Sequence, residues 1–276
     1  MQPSVRMPTG FCQDDQHKES ESSLRSDAAP CTGEQPVVVI LHYGRPEVTR
    51  RLHRQLLSSD PDWRERIMVL DNHAPEPYPQ AWRRLDANLF WAGALEYVLL
   101  LGREKGWSHV WFLNNDAFFI STPPFLERAW QRMLRLERSI GPVGIYSPAF
   151  EHHPYHPQMI ADTARAYRRA TVVDGVAPLI NLECWQALGG LDCTDNPRGY
   201  GVDMWFSLRA SRAGWPVVVD HQVRMRHVYH SAAKDVPGFL EIAARREREY
   251  LAARLGPDHV EILRQAQNTF IDEDRL

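Results

Sequence analysis

Three short apolar runs, each ending in polar residues, constrain this chain more than any other feature of its sequence. They are 36-PVVVIL-41 followed by HYGR, 66-RIMVL-70 followed by DN, and 109-HVWFL-113 followed by NND. Each run is too short for an isolated helix and too continuously apolar for a strand with one wet face, so each reads as a strand buried on both sides. Between the first two, Val48, Leu52 and Leu56 recur at helical spacing, with Pro46 suited to a first turn. Between the second and third, residues 93–104 have helical character and Gly106 marks their stop. Strand, helix, strand, helix, strand predicts an α/β domain with a mostly parallel central sheet flanked by helices.

The remaining pattern is more mixed. A Pro-rich loop at 73–79 leads to a short extended piece near 86–88, and residues 125–138 alternate apolar and charged side chains with helical period. A strand is expected at 143–147, a loop at 151-EHHPYHPQ-158, paired strands in 171-TVVDGVAPLIN-181, and a short helix at 182–188 before Gly189-Gly190. A helix over 202–213 stops at Gly214, strands follow at 216–220 and 223–229, and charged amphipathic helices fill 238–268. Residues 1–35, rich in Ser, Asp, Glu, Gln and Pro, have the composition of a disordered leader. The expected division is therefore a leader at 1–35, a catalytic-size domain at 36–235 and a helical C-terminal extension at 236–276.

Charge and composition exclude several classes. A formal charge of −3 does not suit a protein that holds nucleic acid by bulk phosphate neutralisation. Cys12, Cys31, Cys184 and Cys193 form no CxxC pair, which points away from a zinc site or a disulfide framework and toward a reducing, cytoplasmic setting. No run reaches the roughly 18 apolar residues of a transmembrane helix, and the N-terminus lacks the apolar core of a signal peptide.

In an open α/β sheet, ligands bind beyond the carboxyl ends of the strands. The polar residues of this chain gather at those ends: His42 to Arg45, Asp71 and Asn72, and Asn114 to Asp116. A dinucleotide fold would place a glycine-rich turn after the first strand, but HYGRPE has one glycine, and no GxxxxGK[ST] loop exists. Without a glycine cradle, a diphosphate's charge calls for another device, and a carboxylate-held divalent cation is one.

Read in order, these segments resemble the family-2-like inverting glycosyltransferases of the GT-A fold, a Rossmann-like architecture for nucleotide-diphospho-sugar transfer. VVVILHYGRPE is similar to that family's first strand and turn, IMVLDN to its second strand, and DANLFWAGALEYV to its N-x-G-x-x-x-A-x-N segment without the last Asn. FLNND matches the DxD-like metal motif, LINLECWQALGGLD the segment ending in G-G-F-D, and GYGVDMWFSLRASRAGW the E-D block, with Val202 in place of the Glu. The resemblance covers about residues 36–230. It implies a nucleotide diphosphate sugar donor, with UDP or dTDP favoured, and a glycan, lipid-linked or small-molecule acceptor. It also implies Mn²⁺ or Mg²⁺ held by Asp116 and His227, with His230 the neighbouring alternative. Asp203 would be the catalytic base, and His42, Tyr43, Arg45, Asp71, Asn88, Gly93 and Asn115 would surround the donor.

Two other readings share the fold. A nucleotidyltransferase would want a glycine-rich basic loop where HYGRPE stands, and a decayed transferase acting only as a sugar or nucleotide binder would not need both Asp116 and Asp203. Deletion of residues 1–34 is expected to leave the melting temperature and donor binding unchanged; a fall of many degrees would show that this segment packs on the domain.

Overall fold

Strand β1 (Val37–His42) is buried along its whole length and lies between β2 (Ile67–Asp71) and β4 (His109–Asn114), both parallel to it. The continuous apolar runs are explained by this placement, because a strand covered on both faces has no solvent side for polar residues. The computed structural model describes residues 35–229 and 238–276, which belong to one unit spanning Gly33–Leu276. Residues 1–34 of the expected leader, with Cys12 and Cys31, and likewise His230 and the expected boundary at 235, lie outside the described residues.

Helix α1 (Pro46–Ser59) takes Pro46 into its first turn and buries Thr49, Leu52, His53 and Leu56. Helix α2 (Phe90–Lys105) begins three residues before the sequence spacing suggests and ends at Gly106, whose φ of 70° is the left-handed conformation that glycine adopts without a Cβ clash. Helix α3 (Leu126–Ile140) buries Leu126, Ala129, Trp130, Met133 and Leu136, one stripe at helical spacing. Its start is held from a distance: the carboxylate of buried Asp60 accepts the backbone N–H groups of Phe125, Leu126 and Glu127, three donors that no helix can satisfy internally.

The sheet is mixed, not mostly parallel. Beyond β3 (Arg83–Arg84), β5 (Ala117–Phe119), β6 (Ile145–Phe150), β7 (Tyr167–Ala170), β8 (Leu179–Asn181), β9 (Val217–His227) and β10 (Phe270–Glu273), its order is β10-β7-β9-β6-β8-β4-β1-β2-β3, with β5 on β9. The βαβ half keeps its parallel pairing. In the other half β8 runs antiparallel to β4 and β6, and β7 runs antiparallel to β9 and β10.

Several local readings change as well. Residues 171–178 form a loop between β7 and β8 rather than a pair of strands, and 217–227 is one strand rather than two. The extended piece after β2 lies at Arg83–Arg84, not at 86–88. Helices α4 (Leu182–Ala187) and α5 (Val202–Arg212) appear near the expected bounds. After α6 (Phe239–Leu255) and α7 (His259–Asn268), the chain adds β10 to the sheet edge, tied down by Arg168 on Asp272 and Arg169 on Glu273.

A buried ion pair fastens α3 to the sheet. Asp220, fully buried on β9, accepts Arg132 Nε at 2.6 Å, Tyr146 Oη at 2.8 Å and Gln222 N at 2.9 Å. Arg132→Met would leave that carboxylate without its charge partner, and a loss of about 3–5 kcal/mol is expected. Urea denaturation at neutral pH checks it; Arg132→Met combined with Asp220→Asn should recover part of the loss.

Candidate active site

The carboxyl ends of β1, β2 and β4, the 174–176 loop and the start of α5 enclose a cleft of about 870 Å³. At its centre the β5–β9 pairing sets Ala117 opposite His227, and Val228 N donates to the Asp116 carbonyl at 3.0 Å. This ladder brings two residues 111 positions apart into contact: His227 Nε2 lies 2.9 Å from Asp116 Oδ1. Nδ1 of the same imidazole is buried with no hydrogen-bond partner.

The two side chains hydrogen-bond each other directly, and as a carboxylate–imidazole donor set they suit a divalent cation that accepts nitrogen as well as oxygen, Mn²⁺ more than Mg²⁺. Two neighbouring ligands of an octahedral ion at about 2.0–2.1 Å stand about 2.9 Å apart, which is the separation seen here. No third His, Cys, Asp or Glu completes a cluster among the described residues, so such an ion would need further oxygen ligands from outside the protein.

Asn115 ties the tip of β4 to the tip of β1. Its Nδ2 donates to the Tyr43 carbonyl at 3.1 Å and to Thr49 Oγ1 at 2.9 Å. His42 Nε2 lies 2.8 Å from the Glu76 carbonyl, an acceptor only, so Nε2 carries the proton. Nδ1 then accepts from the Thr49 hydroxyl at 2.6 Å, which leaves the Thr49 oxygen to accept from Asn115. The hydrogen-bond directions run one way from Asn115 through Thr49 and His42 to the Glu76 carbonyl.

Asp203 occupies the first turn of α5. Its Oδ2 accepts Gly175 N–H at 2.8 Å and its Oδ1 accepts its neighbour Met204 N–H at 2.9 Å. One lone pair on each oxygen is used and the carboxyl is oriented. Burial, and then the charge of Asp174, push its pKa up to about 8 despite those two hydrogen bonds. Burial also favours the neutral form of Asp174, but the hydrogen bond from His153 and the nearby imidazoles of His156, His153 and His227 outweigh it and hold that carboxyl low. His153 Nδ1 accepts the backbone N–H of Tyr155 and His156, so Nε2 is the protonated nitrogen that donates to Asp174 Oδ2 at 2.6 Å.

Of the residues expected from sequence, Tyr43, Asn88, Asn115, Asp116, Asp203 and His227 line this cleft. His42, Arg45, Asp71 and Gly93 do not. The Asp71 carboxylate is taken up by Ala74 N, Tyr78 N and Arg84 Nη1, and is buried beneath the loop it organises. Arg45 is exposed at the N-terminus of α1. Gly93 N–H meets the Pro197 carbonyl at 3.5 Å. Asn72 bridges to Asn88 Oδ1 and the Phe90 carbonyl, and lines the cleft in place of its neighbour Asp71.

Sequence reasoning gave no site role to Asp174, Tyr200, Arg198 and Glu247, all of which line the cleft. For Asp174 a signal existed: Asp-Gly followed by Ala-Pro inside an apolar run is turn chemistry. Gly175 fits there because a Cβ would stand 2.4 Å from the Trp91 ring. For Glu247, on a charged helix, nothing in the spacing singled it out.

No family model matches the chain. Uncharacterized proteins from Mycobacterium bovis and from two strains of Mycobacterium tuberculosis are 26% identical over 201 residues, covering 69% of this chain and 73% of each relative. Among solved structures, GalNAc-T7 with UDP, GalNAc and Mn²⁺ superposes with a TM-score of 0.50 at 11% identity, over 85% of this chain and 55% of that one. A mannosyltransferase from Pyrobaculum calidifontis in complex with GDP-Man and Mn²⁺ gives 0.48 at 16% identity, over 87% and 76%. The fold is GT-A-like, a central mixed sheet flanked by helices. This chain spans about half the length of the GalNAc-T7 chain it matches. No helix of the described residues is long and apolar enough to cross a membrane.

A pH dependence follows from Asp203. Its folded pKa of about 8 lies above the ordinary 3.8, so the native state holds a proton that the unfolded chain has released. Its stabilising contribution is whole below pH 4 and is lost as pH rises toward 8. Asp203→Asn should flatten the fall in unfolding free energy between pH 5 and 8, measured by denaturant titration without nucleotide; an unchanged slope would show that the carboxyl titrates normally.

Proposed function

We propose that this chain is a divalent-cation-dependent inverting glycosyltransferase, moving a sugar from a nucleoside diphosphate to an acceptor hydroxyl. The observation that carries the reading is one cleft lined both by a carboxylate–imidazole pair at cis-ligand spacing and by an oriented carboxyl of raised pKa. UDP and dTDP sugars are the favoured donors; the acceptor is a glycan, a lipid-linked sugar or a small molecule.

Asp116 and His227 would hold Mn²⁺ or Mg²⁺. When bound, such a cation supplies positive charge against the departing diphosphate, so the leaving group needs no proton from the protein. Tyr43, Asn88 and Asn115 would line the donor's side of the cleft. The acceptor oxygen forms a bond to the anomeric carbon as the bond to the diphosphate oxygen breaks, and the electron pair leaves with the nucleoside diphosphate. The acceptor's proton passes to the free lone pair of Asp203, a general base held in place by Gly175 and Met204. Only the ionised carboxylate can take that proton. Turnover is therefore expected to rise with pH, with its limb at or below about 8, since positive charge entering the cleft favours the carboxylate.

The direct test incubates the protein with UDP-, GDP- and dTDP-sugars and Mn²⁺ and looks for released nucleoside diphosphate. Asp203→Asn should lower turnover by about a hundred- to ten-thousandfold while donor affinity stays near that of the unsubstituted protein. Asp116→Ala should instead weaken Mn²⁺-dependent binding of the nucleoside diphosphate, read by calorimetry. Full activity after EDTA treatment would remove the metal from the scheme, and near-normal turnover in Asp203→Asn would move the base to Asp174 or Glu247, the other carboxyls of the cleft, since Asp192 and Asp195 lie outside it, paired with Arg254.

A further inference from the structure

Four carboxylates line the cleft, those of Asp116, Asp174, Asp203 and Glu247, and among the described lining residues Arg198 is the one permanent cation. It is paired with none of them. Among the described residues its Nε is buried without a hydrogen-bond partner, and its guanidinium makes only a ring contact, 5.1 Å from the centroid of Phe90. Other partly buried arginines are fastened: Arg132 to Asp220, Arg168 to Asp272, and Arg254 to Asp192 and Asp195. Arg209, whose Nε is likewise unpartnered, donates from both terminal nitrogens to the carbonyls of Leu188 and Gly190.

The backbone around Arg198 is nevertheless held firmly. On one side the Pro197 carbonyl accepts Gly93 N–H. On the other, Gly199, at a φ of 98°, packs so closely that a Cβ would meet the Trp91 ring at 2.6 Å. Asn196 Nδ2 closes the loop on the Tyr200 carbonyl at 2.7 Å. A guanidinium that leaves donors unused, on an anchored loop in a cleft, is a prepared fork for an oxyanion.

We propose that Arg198 is a substrate-binding residue that takes a pair of anionic oxygens from the ligand in this cleft. The inference rests on the glycosyltransferase reading and deepens it. The oxygens belong either to the donor's diphosphate or to a carboxylate on the transferred sugar, and both present the geometry that guanidinium donors match. Neutral sugar hydroxyls alone would give an unpaired guanidinium no charge to meet.

The test is calorimetry with Mn²⁺ on the full chain and on Arg198→Gln. The ligands are whichever of UDP, GDP and dTDP binds, its parent nucleoside, and the pair UDP-glucuronate and UDP-glucose. A loss of about ten- to a hundredfold for the nucleoside diphosphate but not the nucleoside assigns the diphosphate. A loss confined to UDP-glucuronate assigns the sugar carboxylate. Arg198→Lys, which keeps the charge without the fork, should fall between, and it serves if the glutamine variant does not fold. Binding by Arg198→Gln equal to that of the unsubstituted protein for every ligand overturns the inference and leaves the transferase reading intact. No nucleotide binding by the unsubstituted protein overturns both.

Discussion

The antiparallel pairing of β5 with β9 is the contact on which the site depends. It sets the end of an eleven-residue strand against the three residues just past the Asn114–Asp116 tip, and so fixes His227 beside Asp116. β9 is able to do this because its first half is locked in the sheet, parallel to β6 and antiparallel to β7, with Val217, Val218 and Val219 buried. Between Pro148 and Ala149 the β6–β9 register shifts. A register irregularity of this kind bends a strand and re-aims the residues beyond it, here the half of β9 that carries Met225 and His227.

The same logic explains the electrostatics of the cleft. Asp174 and Asp203 stand close together there, and burial and partners move their carboxyls in opposite directions. Asp174 has an imidazole proton donor and stays charged; Asp203 has only backbone donors and a charged neighbour, and is driven toward the neutral form. Two carboxyls pushed apart in this way are a recurring mark of acid–base sites.

Much of the parallel half was legible in sequence because its code is simple: a strand buried on both faces must be continuously apolar, and the helices between must carry a stripe. The antiparallel half was harder for a physical reason. Val172, Val173 and Val176 are as buried as any strand residue, yet they belong to a loop, and burial alone does not distinguish the two. The strand tips were ambiguous in another way. A polar residue at such an end can face the ligand or organise its own loop, and composition is the same in both cases. Asp116 lines the cleft; Asp71 and His42 are taken up by their own loops. The contribution of α6 to the cleft, through Glu247, depends on long-range docking that no local period encodes.

The sheet's two outermost strands have a consequence for how the protein behaves at high concentration. An open sheet edge offers unpaired backbone groups to any passing strand, and natural proteins blunt such edges with brevity and charge. Here one edge is the two-residue Arg83–Arg84 strand and the other is the four-residue strand bearing Asp272 and Glu273. Both edges of the ten-stranded sheet are thus short, but they differ in character: Arg83–Arg84 is charged throughout, whereas Phe270 and Ile271 leave apolar surface exposed beside the two acids, so brevity is the device the two edges share.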